Sequence, residues 1–105
     1  MINLDRIREL CNNKAVNWTE HIAKRMLIRG ISRQQVLQAI QTGEIIEQYE
    51  NDAPYSSCLL LGNDDEGHPI HVVCGLAPDC VWLITAYHPD PNEWENDWKT
   101  RRSSV

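Results

Sequence analysis

The sequence predicts an α+β fold in which two to three N-terminal helices pack on a four-stranded antiparallel sheet, followed by a short C-terminal helix. Apolar residues recur at helical spacing up to Gly43, and they alternate with the two-residue period of a β-strand after it. The chain has 105 residues, the size of one domain, and contains no repeat, low-complexity tract or linker. We therefore expect residues 1–105 to form a single domain.

Three segments have the pattern of amphipathic helices. Residues 3–11 place apolar side chains at helical spacing. In the second segment Thr19 is a natural N-cap and Gly30 supplies a C-terminal stop. Ser32 and Gln35 fit a capping box at the start of the third segment.

Four segments after Gly43 have the period of β-strands. The connections between them are short and rich in turn-forming residues, so consecutive strands should be antiparallel neighbours. After the last strand, residues 90–93 are typical of a helix start, with proline at the first helical position. This helix would place Trp94 and Trp98 on one face. The predicted strands are residues 44–49, 57–62, 68–75 and 80–87.

The net charge of −5 is unevenly distributed along the chain. Basic residues outnumber acidic ones in residues 1–33, and acidic residues predominate in residues 34–105. An acidic chain argues against strong nonspecific binding of nucleic acid, because phosphate contacts supply nearly all of that affinity. A local basic face can still attract a polyanion, although a solvated helical surface has the same composition.

Composition also predicts a cytoplasmic protein without disulfides. No apolar run approaches the ~18–20 residues of a membrane span, and the first residues lack the order of a signal peptide. The four cysteines show no C-x-x-C spacing, and three of them lie in apolar stretches, which favours buried free thiols. Cys74 and Cys80 flank a short turn, but in a reducing compartment they should stay apart.

The second helix carries one line of polar residues that could act chemically. His21, Arg25 and Arg29 recur every four residues and therefore share one side of the helix. Two guanidiniums in such a line could hold a phosphate while the imidazole transfers a proton. A solvated helix face gives the same pattern.

His71 interrupts an otherwise apolar strand and is a second candidate. A hairpin with a three-residue turn would pair Ala77 with Val81, and counting back sets His71 opposite Tyr87. A histidine and a tyrosine in contact could serve as an acid–base pair. They could equally be a hydrogen-bonded pair inside the core.

The sequence predicts neither a metal site nor a cofactor. His68 and His71 are three residues apart on a strand, which directs their side chains to opposite faces. There is no glycine-rich phosphate loop, and no serine or cysteine has an evident base.

From Trp18 to about Arg101 the chain closely resembles the bacterial domain-of-unknown-function family 4258. The resemblance rests on four segments in the same order: "WTEHIAKRMLIRGISRQQVLQAIQTGEIIEQY", "CLLLG", "HPIHVV" and "ITAYHPDPNEW". That family is grouped with the RelE-like toxins, small α+β ribonucleases whose members are often paired with an antitoxin. The resemblance therefore implies a RelE-like fold and RNA as the substrate. It also implies a small antitoxin with a zinc finger or helix-turn-helix as the partner, and no association with a membrane.

Carried onto this chain, the characteristic polar positions of the family are His21, Arg25, His71 and Tyr87. RelE-like ribonucleases use no metal: a base takes the 2′-hydroxyl proton, the oxygen attacks the adjacent phosphate, and cations stabilise the developing charge. The resemblance implies that His71 or His21 is the acid or base and that Arg25, with Arg29, holds the phosphate. Tyr87 would orient the phosphate or donate a proton.

A second hypothesis is a non-catalytic domain of the same fold that binds a protein partner. Trp94 and Trp98, expected to be exposed, would form the interface together with the acidic C-terminal half, because aromatic residues are enriched at the centre of interfaces.

Overall fold

A computed structural model describes residues 1–103, which form three helices and one five-stranded mixed sheet. The α+β prediction is thus confirmed. The strand order in the sheet is β1-β5-β4-β3-β2. The helices are α1 (Leu4–Asn12), α2 (Glu20–Arg29) and α3 (Arg33–Thr42), and the strands are β1 (Val16–Trp18), β2 (Glu44–Tyr49), β3 (Ser57–Asn63), β4 (Pro69–Leu76) and β5 (Val81–Tyr87).

The predicted helix boundaries are confirmed by their capping contacts. The Thr19 side chain accepts a hydrogen bond from the backbone N–H of Ile22, and Gly30 ends α2 with a left-handed φ of 67°. Ser32 and Gln35 form both halves of a capping box at the start of α3. Among residues 1–103 no helix is long and apolar enough to cross a membrane.

The expectation of a four-stranded antiparallel sheet is wrong, because β1 adds a fifth strand. It lies parallel to β5, with Val16 opposite Val81 and Trp18 opposite Leu83. A strand of three residues is too short to show a two-residue period, so the sequence pattern gave no sign of it. The remaining neighbours, β5-β4-β3-β2, are antiparallel as predicted.

The three helices cover one face of the sheet and form the core with it. Helix α3 approaches β3 closely, since a Cβ added to Gly62 would lie 2.4 Å from the Ala39 carbonyl oxygen. Alternate residues of β4 point into this core, and the residues between them point to the opposite face. Core residues include Ile7, Ile22, Val36, Ala39, Ile40, Leu60, Ile70, Val72, Cys74 and Leu83.

The four cysteines are free, as predicted. Cys74 lies opposite Cys58 on β3, not next to Cys80. Burial raises the pKa of the Cys58 thiol to about 12 and that of Cys74 well above its usual value. Neither thiol is therefore a nucleophile at neutral pH.

The predicted C-terminal helix is wrong: among residues 1–103 no helix follows β5. The Asp90 side chain accepts a hydrogen bond from the backbone N–H of Asn92, and the Asp90 carbonyl accepts one from the backbone N–H of Glu93. Only one turn forms. The chain then returns, and an isolated bridge pairs Trp94 with Arg101. This C-terminal segment (residues 89–103) lies on the sheet face that the helices leave uncovered.

Gly62 and Gly75 provide a matched test of this packing. We expect Gly62→Ala to destabilise the protein by about 3 kcal/mol, because the new methyl group would overlap the backbone of α3. Gly75→Ala on the opposite face should change stability by no more than about 1 kcal/mol, since its methyl group meets only ordinary contacts. Urea unfolding of both variants checks this, and equal stabilities would contradict the close approach of α3 to β3.

Candidate functional site

His71 on β4 and Tyr87 on β5 are direct cross-strand partners, which confirms the predicted pairing. The Nδ1 atom of His71 lies 3.3 Å from the Tyr87 hydroxyl oxygen. The predicted turn register was wrong by one residue, because Leu76 and not Ala77 pairs with Val81. An irregularity in the pairing beyond this point shifts the register back, so the count to Tyr87 is restored.

The hydrogen bonds of His71 determine where its proton lies. Its Nε2 atom is 2.7 Å from the backbone carbonyl of Trp98. A carbonyl can only accept, so Nε2 carries the hydrogen and Nδ1 accepts from the Tyr87 hydroxyl. The side chain is 0% exposed, and this burial lowers the pKa of His71 and favours the neutral ring. Burial likewise raises the pKa of Tyr87, which keeps its phenol protonated.

The C-terminal segment covers His71. Trp94 meets the imidazole edge-on with 4.5 Å between ring centroids, and it is only 2% exposed. The Arg101 guanidinium lies 4.6 Å from the centroid of the Trp94 ring. The expectation that Trp94 is exposed is therefore wrong, because its ring packs against His71 and shields that side chain from solvent. Trp98 is half-buried.

A charged network on β2 adjoins this cover. Arg101 donates two hydrogen bonds to the Glu47 carboxylate, at 2.9 and 3.0 Å, and the Tyr49 hydroxyl donates a further one. The bond from Arg101 lowers the pKa of Glu47. Burial and the bond to Glu47 raise the pKa of Tyr49 to about 12. Sequence reasoning missed all three residues. The alternation of Glu47 and Tyr49 along β2 was the one available signal, since both lie on the face of His71.

Arg29 at the end of α2 reaches the rim of the site. Its guanidinium donates to the carbonyl of Ala86 at 2.8 Å and lies 6.0 Å from the centroid of the Tyr87 ring. β1 pairs only with the first part of β5, so the remaining edge carbonyls need other donors. The Thr19 hydroxyl donates a hydrogen bond to the carbonyl of Leu83 at 2.9 Å, and the Arg29 guanidinium donates the one to the carbonyl of Ala86.

His21 and Arg25 are not brought into contact with His71 and Tyr87. Both are exposed on α2, and within the described part of the chain neither side chain makes a hydrogen bond or an ion pair. An α-helix rises about 6 Å over four residues, so Arg25 lies one turn and His21 two turns from Arg29 along the axis. The polar line therefore exists, but only its C-terminal member touches the site. The roles of His21 and Arg25 stay predictions.

The arrangement combines a buried neutral base, a phenol that bonds to it and a guanidinium at the rim. When the Tyr87 phenol takes a proton from an outside group, it can pass its own proton to His71 Nδ1. The imidazolium that forms would be held by the Trp98 carbonyl and attracted by Glu47. Among residues 1–103 no group of three or more histidine, cysteine or acidic side chains is placed to hold a metal ion.

A protein-family model described as "Domain of unknown function (DUF4258)" matches residues 18–88, well over half of the chain. The matched range contains Arg29, His71 and Tyr87, whereas Trp94 and Arg101 lie beyond it. Neither the comparison with curated proteins nor that with solved structures finds a match.

The burial of His71 predicts a pH dependence of stability. Because its pKa is lower in the folded than in the unfolded chain, the unfolded state binds the proton more readily. The stability that neutral His71 contributes is complete above its usual pKa of 6.5 and is lost as the pH falls below it. We expect the free energy of unfolding to fall more steeply between pH 7 and 5 for the wild type than for His71→Gln.

Urea unfolding at several pH values measures these slopes. The window ends at pH 5 because the lowered pKa of Glu47 acts only below its usual value of 4.5. Parallel slopes for the two proteins would contradict a buried neutral His71.

Proposed function

The chain belongs to the DUF4258 family, and we propose that it is a metal-independent RNA endonuclease of the toxin type, with Tyr87 and His71 as its proton-transferring pair. The observation that carries the proposal is the bond from the Tyr87 hydroxyl to Nδ1 of the buried His71. A neutral imidazole in this position increases the basicity of the phenol oxygen toward an outside proton donor.

The proposed reaction begins when the 2′-hydroxyl of the RNA passes its proton to the Tyr87 oxygen while Tyr87 passes its own to His71 Nδ1. The 2′-oxygen bonds to the adjacent phosphorus, and the bond from phosphorus to the 5′-oxygen breaks. The departing 5′-oxygen takes a proton from solvent, to which the Tyr87–His71 pair later releases one. The products are a 2′,3′-cyclic phosphate and a 5′-hydroxyl.

Arg29 is the proposed phosphate-binding group. Its Nη1 group donates to the Ala86 carbonyl and, more weakly, to the Thr85 hydroxyl, so the N–H groups of Nε and Nη2 remain for the charge that develops on the phosphate. Arg101 lies beside the same cluster, but its guanidinium is bound by the Glu47 carboxylate through Nε and Nη2, so it has fewer donors left for a phosphate. The substrate would approach at Tyr87, which is half-buried, and not at His71, which is covered.

The toxin assignment adds a partner, which we propose to be a small antitoxin that carries a zinc finger or a helix-turn-helix. Support comes from the packing of helices on one face of a mainly antiparallel sheet, which is the architecture expected of a RelE-like fold. The parallel strand β1 is a departure from the expected sheet.

A second candidate function is a non-catalytic protein-interaction domain, with its interface on α2. Leu27 is 85% and Ile28 73% exposed, next to the cationic side chains of Lys24 and Arg25. Exposed aliphatic side chains beside arginine are typical of a protein-binding surface. If this function holds, Leu27→Asp with Ile28→Asp should abolish co-purification of the native partner, and His71→Gln should leave it intact.

The tyrosine hydroxyl gives the sharpest test of the ribonuclease. We expect Tyr87→Phe to lower the rate of RNA cleavage about a hundredfold or more, because the base loses its only path to the substrate. Cleavage of a labelled RNA by purified protein measures this, with mass detection of the cyclic phosphate. Gln34→Ala, an exposed position on α3, is the control and should cleave at the wild-type rate. A folded Tyr87→Phe protein that cleaves as fast as the wild type would refute the mechanism.

A further inference from the structure

A second concave site lies on the same sheet face as His71, near the other end of β4. A cavity of about 210 Å³ opens there beside Gly75. Residues 71, 73 and 75 alternate with the core residues of β4, so His71 and Gly75 share a face. Four strand residues separate them by about 13 Å.

The walls of this cavity suit a flat ring. Trp82 and Tyr55 provide aromatic surface, and Pro54 and Ile84 provide aliphatic surface. An apolar cavity of ~150 Å³ accepts a benzene ring, so the larger volume has room for one six-membered ring with substituents. Tyr55 is 40% exposed and lies in the loop between β2 and β3, at the edge of the cavity.

Gly75 keeps the floor of the cavity open. A Cβ built on it would lie 3.4 Å from Ile84 Cδ1 and 3.6 Å from Trp82 Cβ. Glycine inside a strand weakens the strand and often marks a place where a ligand approaches the backbone closely. Any larger residue here would project its side chain into the space between Trp82 and Ile84.

Asp52 provides the polar contact of the site. The hydroxyl of the buried Ser57 donates to one oxygen of this carboxylate, which leaves the other oxygen as a free acceptor. A carboxylate is the side-chain group that accepts from the exocyclic amino group of cytosine. Trp82, whose side chain lines the cavity, has an indole nitrogen that is buried without an acceptor among the described residues.

We propose that this cavity is a nucleobase subsite that selects cytosine over uracil. The proposal rests on the ribonuclease function and deepens it: a strand of RNA that lies along the helix-free face would seat a base beside Gly75 while its backbone passes Tyr87. Aromatic stacking and the amino group on Asp52 supply binding that does not depend on phosphate charge.

Nucleotide titration of the full chain tests the subsite. With ¹⁵N-labelled protein, cytidine 3′-monophosphate should shift the indole N–H resonance of Trp82, which Trp82→Phe identifies. The protein should bind cytidine 3′-monophosphate with an affinity roughly tenfold higher than that for uridine 3′-monophosphate, because uracil lacks the amino group that donates to Asp52. Equal affinities, or no shift at millimolar cytidine 3′-monophosphate, would overturn the proposal.

Three variants separate the contacts. Asp52→Asn should remove the preference for cytosine, Tyr55→Ala should weaken both nucleotides, and Gly75→Val should abolish binding by filling the cavity. If the valine variant does not fold, Gly75→Ala, whose methyl group meets ordinary contacts, should still weaken binding severalfold. The control Gln34→Ala should bind as the wild type does. Unchanged binding by the folded Gly75 variants would place the nucleotide elsewhere and refute the subsite.

The same proteins distinguish this proposal from the ribonuclease itself. Nucleotide binding is measured without cleavage, so cytidine binding by a chain that cleaves no RNA would retain the subsite and remove the catalytic function. If the wild-type chain cleaves RNA but its Trp82 resonance does not respond to the nucleotide, the catalytic function is retained and the subsite is refuted.

Discussion

The hydrogen bond from His71 Nε2 to the Trp98 carbonyl is the contact on which the site depends. It fixes the tautomer of the ring, and thereby makes Nδ1 the acceptor for Tyr87. It also ties the C-terminal segment to the middle of the sheet. Trp98 has a φ of +61°, which is uncommon for a bulky residue, so the backbone is held in a costly conformation at this carbonyl. Loss of the bond would leave a buried polar atom unsatisfied, at a cost of about 1–3 kcal/mol.

The C-terminal segment is held by side chains and not by regular structure. Lys99 pairs with Glu44 at 2.6 Å and Arg101 with Glu47, but ion pairs that are exposed to solvent stabilise a fold only weakly. The burial of Trp94 against His71 is therefore the larger contribution. This segment leaves the Tyr87 hydroxyl as the route between His71 and any substrate, which is why the proposed mechanism relays the proton through Tyr87.

Local signals in the sequence predicted most of the fold. Thr19, Gly30 and Ser32 act through neighbours within a few residues, and the bounds of the four longer strands were predicted to within about one residue. Counting back from the predicted turn also set His71 opposite Tyr87, although the turn was misplaced by one residue and the irregularity in the β4–β5 pairing compensated for it.

The features that were missed depend on contacts between residues distant in the chain. β1 is a strand only because β5, more than sixty residues later, pairs with it. Asp90 and Pro91 have the signature of a helix start and do begin a turn, but Trp94 gains more by packing on His71 than a short helix would provide. No pattern near Glu47 could indicate that Arg101 would bind it.

The charge distribution determines what kind of RNA binding these sites permit. At the rim Arg29 adjoins Tyr87, and Arg25 adds a second positive charge one turn away on α2, whereas Arg101 is paired with Glu47. The rest of the chain is acidic, so a polyanion is attracted along α2 and repelled elsewhere. Few phosphate contacts mean weak nonspecific affinity and a small salt dependence. The proposed ribonuclease would therefore need further affinity from uncharged contacts, and the aromatic cavity beside Gly75 offers them on the helix-free face.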